Sequence, residues 1–426
     1  MATTTIEDIH KLFEQYPCVS TDTRRITPGS LFFALRGASF DGNKFALSAV
    51  RMGAAYAIVD DAELIAENPC VCSKLIYVDD VLQTLQLLAA HHRKVLNIPI
   101  IAIVGSNGKT TTKELLSAVL NKRYRVTATV GNLNNHIGVP LTLLSMTHHT
   151  EVGVVEMGAN AQGEIAMLCN IATPNFGIIN NIGRAHLEGF GGVDGIKKGK
   201  GELYDYLLKS EGVAFVPSDD ETLISMAHDR KNLQTIEYPF SLANGIKHQL
   251  EGDFNLKNIA SAVAIATYFR VERNDIEQAI AEYTPQNNRS QRTITPHNIL
   301  IVDCYNANPS SMEVSIKNFV SEEFSVSKAM ILGDMFELGE WSKEEHKKVI
   351  ERAMNNKNSE IFLVGINFTQ AFESLNIDTQ PDSQRVKLFP SRKELEAHLE
   401  TSPLRDKAIL IKGSHSVGLE HIIKML

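Results

Sequence analysis

Apolar positions from about residue 100 onward fall into short runs separated by amphipathic stretches. IIAIV (100–104) reads as a buried strand and TTTKELLSAVLNK as the helix after it, while EVGVVEM (151–157) and FGIIN (176–180) read as further strands. Fully apolar runs separated by helices predict a mostly parallel α/β sheet of nucleotide-binding type. The rhythm restarts with ILIVD (299–303), a helix over 309–320, AMILG (329–333), a helix over 342–355, IFLVG (361–365), KAILIKG (407–413) and a final helix. A helix-rich stretch (254–283) and the polar linker TPQNNRSQRTITPHN separate the two blocks. Residues 1–94 form a mixed segment with turn signals at TPGS and SFDGN, ending in a helix through VLQTLQLLAAHHRKVL. The expected fold is therefore α/β in three domains, about 1–94, 95–291 and 292–426. They read as a mixed α/β domain, a central parallel-sheet domain carrying a phosphate loop, and a C-terminal Rossmann-like domain.

Composition agrees with that division. The 426 residues are 43% hydrophobic and 22% charged, enough to bury several cores. A net charge of −8 argues against a general nucleic-acid or anionic-membrane binder and towards small molecules. The five cysteines, Cys18, Cys70, Cys72, Cys169 and Cys304, show no zinc spacing and read as reduced thiols. MATTTIEDIHKLF has no apolar signal region, and no apolar run approaches the roughly 20 residues of a membrane span. A cytoplasmic protein is expected.

Candidate chemistry concentrates in IIAIVGSNGKTTTKELL. Glycines let backbone N–H groups of Gly105, Ser106, Asn107 and Gly108 approach phosphate oxygens. Lys109 adds a point charge, Thr110 offers a hydroxyl to magnesium, Thr111 follows, and the helix directs its positive end at the anion. ATP binding is the expectation. Magnesium calls for oxygen ligands from a neighbouring strand end, where Glu156 of VVEMGAN stands. NNIGRAHLEGFGG puts His186 in a glycine-bounded loop beyond the next strand. KKGKGE (197–202) reads, taken alone, as a solvated basic turn.

The ordered array GSNGKTTTKE, GNLNNHIGVP, EMGAN, NIGRAHLEGFG, KGKGE, DCYNANPSSM, GDMFELG and KGSH resembles the Mur ligases, ATP-dependent enzymes of peptidoglycan precursor synthesis. YNANP (305–309), GDMFELGEWSKEEH, STDTR, FFALRG and FDGNKF are most similar to the branch that joins D-alanyl-D-alanine to a UDP-N-acetylmuramoyl-tripeptide. The resemblance implies ATP, two magnesium ions, these small-molecule substrates and a monomer. Thr110, Glu156 and His186 would hold metal, Lys109 would neutralise phosphate, and Lys200 would be carbamylated by carbon dioxide to an anionic group, leaving Lys197 and Lys198 as solvated charges. Asn255 of FNLKN, with Phe254 where the family has histidine, would contact adenine; Arg289, or Arg292 in its place, would stack on it; Asp303 would take the ribose and Asn306 line the site. Ser20, Thr21, Asp22, Arg24, Asp41 and Gly42 would grip the uridine nucleotide, and Asn134 and Asn135 would face substrate. Asp334, Lys412 and Ser414 would approach the dipeptide or phosphates as the C-terminal domain closes on ATP.

Three alternatives stand beside this reading: the third-residue-adding Mur ligase, a folylpolyglutamate synthase, and a non-catalytic nucleotide-binding regulator. The absence of a DNPR-type element counts against the first; YNANP and the STDTR/FDG segment count against the first two. The pairing of Lys200 with His186 counts against the third.

Overall fold

The computed structural model describes residues 4–252, 254–285, 291–375 and 384–426. Three sheets follow one another along the chain. The first has four parallel strands in the order Val19–Ser20, Leu31–Phe33, Tyr56–Val59, Leu75–Tyr77, with a small hairpin of Arg36–Gly37 and Phe40–Asp41 beside it. The second has six parallel strands, ordered Gln234–Tyr238, Val213–Pro217, Phe176–Ile179, Ile100–Val104, Val152–Glu156, Val126–Ala128. The third runs Gln291–Ile294, Asn298–Asp303, Lys407–Lys412, Ser327–Gly333, Ser359–Val364, Val386–Phe389, and is parallel except for its first pair. Gln291, placed by the sequence on the central side of the 291/292 boundary, pairs with Val302 in the third sheet.

The apolar runs are continuous because both faces of these sheets are covered. Ile101 and Ile103 pack with Leu115, Leu116, Ile259 and Val263 on one side of the central sheet. Ile100, Ala102 and Val104 pack with Ile196, Leu203 and Leu207 on the other. Helices Lys109–Leu120 and Phe254–Tyr268 therefore cover one face, and helix Val193–Lys209 the opposite one. The expected final α-helix is instead two 3₁₀ segments, His415–Val417 and Leu419–Met425. Gly418, at φ 74°, breaks the run, and the bonds on either side close three residues back, from Val417 N to Ser414 O and from His421 N to Gly418 O.

Parallel strands end on a common edge, so topology alone gathers the loops at 105–108, 157–160 and 180–186 at the carboxyl edge of the central sheet, and those at 304–308, 334–338 and 413–415 at that of the third. The two edges meet. Asn308 Nδ2, at the cap of helix Pro309–Ser321, donates to Asn107 Oδ1 at 2.8 Å. Among the described residues no helix is long and apolar enough to cross a membrane.

Candidate active site

The phosphate loop is built by strand Ile100–Val104 running into helix Lys109–Leu120. Gly108 stands at φ 80°, and a Cβ there would lie 2.5 Å from Asn258 Oδ1, so both backbone angle and space require glycine. No side chain caps the helix, which leaves its first N–H groups directed at the loop. Around the loop lies a shell that the sequence did not single out: Asn181 Oδ1 accepts from Asn107 N at 3.0 Å, and Ser106 Oγ donates to Gly183 O at 2.9 Å. Asn180 Nδ2 donates to Thr112 Oγ1 at 2.8 Å, which donates on to Asn258 Oδ1 at 3.2 Å. The signal available beforehand was the Asn180–Asn181 pair at a strand end. Lys109 curls back so that Nζ donates to Gly105 O at 2.6 Å, and Thr111 is half-buried in the first helical turn.

Glu156, at the end of its strand and 2% exposed, has both carboxylate oxygens held. Thr110 Oγ1 donates to Oε2 at 2.9 Å and Asn134 Nδ2 to Oε1 at 2.8 Å. Thr110 and Glu156 thus lie together as a hard-cation site requires, while Asn134, expected to face substrate, has its amide nitrogen on Glu156. Asn135 does not join them: its Oδ1 accepts from Ile137 N and Gly138 N at the start of helix Gly138–Leu144. Among the described residues no three His, Cys, Asp or Glu side chains converge as a metal cage. One carboxylate beside one hydroxyl next to a phosphate loop is nonetheless the donor set that fits magnesium, whose remaining ligands are water and substrate phosphate.

KKGKGE is no turn. It lies inside helix Val193–Lys209, and the glycines have a packing reason. A Cβ at Gly195 would sit 1.8 Å from Phe190 O and one at Gly199 2.4 Å from Phe190 Cε1. Each helical glycine costs about 1 kcal/mol against alanine; here that cost admits the short helix Leu187–Phe190 against the longer one and sets the Phe190 ring centroid 4.9 Å from Lys200 Nζ. Lys200 is 1% exposed, its Nζ donating to Ala159 O at 3.1 Å. Burial, then the like charge of Lys109, pushes this ammonium down to about 7. Glu202 faces the other way, capping helix Glu164–Ala172 by accepting from Gly163 N and Ala166 N.

His186 meets the third domain, its Nδ1 bonded to Glu337 Oε2, a contact that holds the Glu337 carboxyl below its usual range. Beyond the phosphate loop, a cavity of about 280 Å³ between the second and third domains is lined by residues including Phe254, Ile301, Asp303, Ser315 and Phe319. Lys412 Nζ at 2.6 Å and Ser315 Oγ at 2.8 Å fix Asp303 Oδ2 there. Asn306 is exposed nearby in sequence, and Ser414 lies buried beneath, Oγ to Ala307 O at 3.5 Å. Asn255 is turned inward: its Nδ2 donates to Glu251 O at 2.7 Å and its Oδ1 accepts from Asn258 Nδ2 at 2.8 Å. Arg292 is engaged by Glu251 and Glu322; Arg289 lies outside the described residues. Asp334 is not presented to the site, because its carboxylate accepts from Asn367 N and Phe368 N, each at 2.9 Å, at the head of helix Ile366–Glu373. Burial raises its pKa against the pull of those bonds.

At the carboxyl edge of the first sheet the two expected turns are formed. Asp22 caps the 3₁₀ turn Thr23–Arg25 and pairs with Arg24 at 2.8 Å, while Ser20 Oγ donates to Asp22 O; Thr21 lies between them, half-buried. Asp41 accepts from Asn43 N at 3.0 Å, and a Cβ on Gly42 would lie 2.4 Å from Leu35 O.

Fold and site together define a multidomain P-loop nucleotide-binding protein whose phosphate edge is faced by a second α/β domain. Three family descriptions match in succession: "Mur ligase family, catalytic domain" over residues 15–93, "Mur ligase middle domain" over 103–244, and "Mur ligase, glutamate ligase domain" over 288–415. The UDP-N-acetylmuramoyl-tripeptide–D-alanyl-D-alanine ligase of Bacillus subtilis is 34% identical over 429 residues, covering 96% of this chain and 92% of that protein. Its Treponema pallidum counterpart is 33% identical over 435 residues, covering 96% and 93%. A crystal structure of MurF from Acinetobacter baumannii superposes with a TM-score of 0.81 at 30% identity, covering 95% of this chain and 92% of that one. The chain belongs to the Mur ligase family.

Proposed function

We propose that the protein is an ATP-dependent amide ligase joining D-alanyl-D-alanine to the peptide carboxylate of a UDP-N-acetylmuramoyl-tripeptide, with release of ADP and phosphate, in peptidoglycan precursor synthesis. The observation that carries this reading is the full-length likeness to ligases of that name, 34% and 33% identical over 96% of the chain. A net charge of −8 supports a protein acting on small molecules rather than on nucleic acid or anionic membranes; the same reading takes it as a cytoplasmic monomer.

The reaction brings two anions together. A peptide carboxylate oxygen attacks the γ-phosphorus, ADP departs, and an acyl phosphate results; the dipeptide amine then attacks the acyl carbon and phosphate leaves. Such chemistry needs charge neutralisation and positioning more than a protein nucleophile. The N–H groups at 108–110 and Lys109 Nζ receive the phosphates, Ser106 N and Asn107 N being held by Asn181 and Lys109 leaving the loop carbonyls it now bonds. Thr110 and Glu156 would hold one magnesium ion, and His186 with a carbamate on Lys200 a second, which would supply charge neutralisation beside the phosphates.

Lys200 supports the carbamate reading by being fully buried, with a pKa near 7. Its neutral amine forms an N–C bond to carbon dioxide and loses a proton to water, converting a cation into an anionic two-oxygen group. Phe254 and Asp303 line a cavity suited to the adenosine, Asp303 taking a ribose hydroxyl with Lys412 as its anchor. Ser20, Asp22, Arg24 and the Asp41–Gly42 turn take the uridine nucleotide, and Asn134 faces the peptide side.

The test is a product analysis. Incubation with ATP, the UDP-linked tripeptide and D-alanyl-D-alanine should yield a species heavier than the tripeptide substrate by the dipeptide less one water, with one phosphate per amide. Phosphate release indifferent to the dipeptide, or no such product, would sink the assignment.

A further inference from the structure

The segment 183–192, between strand Phe176–Ile179 and helix Val193–Lys209, belongs to the central domain yet is held from the third. Arg184 N donates to Ser310 Oγ at 2.7 Å, and its guanidinium pairs with Glu313 at 3.1 Å. Glu188 N donates to Glu337 O at 3.3 Å, and His186 Nδ1 bonds the Glu337 carboxylate. His186 and Glu337 both occupy the left-handed region, at φ 56° and 59°. Non-glycine residues held there cost roughly 1–3 kcal/mol each, and such positions gather at functional contacts. On its far side the same segment carries Phe190, whose ring lies over Lys200 and whose carbonyl accepts from Gln162 Nε2 at 3.1 Å.

One short loop thus touches the third domain on one side and the buried lysine on the other. A carboxylate on Nδ1 also decides the imidazole's tautomer: Nδ1–H donates to Glu337, and Nε2 keeps its lone pair for the reaction centre.

We infer that Glu337 is a positioning residue: by orienting the His186 ring and its loop, it makes assembly of the reaction centre conditional on docking of the third domain. The inference rests on the ligase reading above. GDMFELG therefore contributes through Glu337, while its Asp334 is engaged in capping.

Full-length Glu337→Ala and Glu337→Gln, made with ring-¹⁵N histidine, test it by ligation kinetics and by the long-range ¹H–¹⁵N pattern of His186. The alanine variant should lose about ten- to hundredfold in kcat, with KM for ATP and the UDP-linked peptide within about twofold of the parent. Its His186 pattern should shift from the Nδ1–H form to a mixture. Glutamine, whose Oε1 still accepts from Nδ1–H, should recover part of the rate and most of the tautomer pattern. Where the alanine variant does not fold, Glu337→Asp, one methylene shorter, carries the same comparison with an intermediate loss. An alanine or aspartate variant with unchanged kcat, or with the parent's His186 pattern, overturns the inference. If the parent itself forms no amide, the ligase reading fails, and the tautomer comparison still decides whether Glu337 orients His186.

Discussion

Lys200 and Lys412 are each about 1% exposed, yet their surroundings in the central and third domains differ in kind. Lys412 ends a strand with its Nζ 2.6 Å from Asp303 Oδ2, the usual solution for a buried ammonium. Lys200 sits mid-helix with a carbonyl and an aromatic face, and the nearby Glu202 is turned to the next helix. Burial is the same; partnering is not. A paired buried lysine anchors structure, whereas one without a bonded carboxylate is driven towards its neutral, nucleophilic form.

The contrast can be broken by exchanging each lysine for a neutral side chain of similar size. Lys200→Met should remove at least about a hundredfold of ligation activity, the scale of losing one preorganised charge at a reacting centre, while not lowering stability near neutral pH, where burial of this amine disfavours the folded chain. Kinetics and thermal melts on one preparation check both. Lys412→Met should act first on stability, costing up to about 3 kcal/mol in denaturant unfolding because the partly buried Asp303 loses its cation, and should raise KM for ATP through the Asp303 it anchors.

Gly199→Ala sharpens the same comparison. Its Cβ, 2.4 Å from Phe190 Cε1, should displace the ring from Lys200. Overpacking of about 1–3 kcal/mol, less about 1 regained in helix propensity, leaves a small net loss visible by melting. The same contrast is readable in pH. The folded pKa of Lys200, about 7, lies below its unfolded 10.5, so the unfolded chain holds the extra proton between them and this group's contribution to stability rises with pH across that window. In bicarbonate-free buffer Lys200→Met should flatten that rise; an identical pH profile would contradict it.

Much of this arrangement was legible beforehand because parallel strands put their ends on one edge. Glu156 and Asp303 end strands, and Gly105–Gly108 and His186 stand in the segments that follow strands, so periodicity located them. The inward turn of Asn255 and the capping role of Asp334 depend on partners such as Asn258 and Asn367, whose positions no local pattern fixes. KKGKGE misled for a similar reason: its glycines suit a turn locally, and only the approach of Phe190 to Gly199 and of Arg230 to Gly201 explains them in a helix. The Glu337–His186 contact spans two domains, beyond any local pattern.

The most direct measurement is carbon NMR of the protein equilibrated with ¹³C-bicarbonate. A carbamate resonance should be present in the parent and in Lys412→Met and absent in Lys200→Met. No resonance in the parent, or one that survives in Lys200→Met, would contradict the distinction between the two buried lysines.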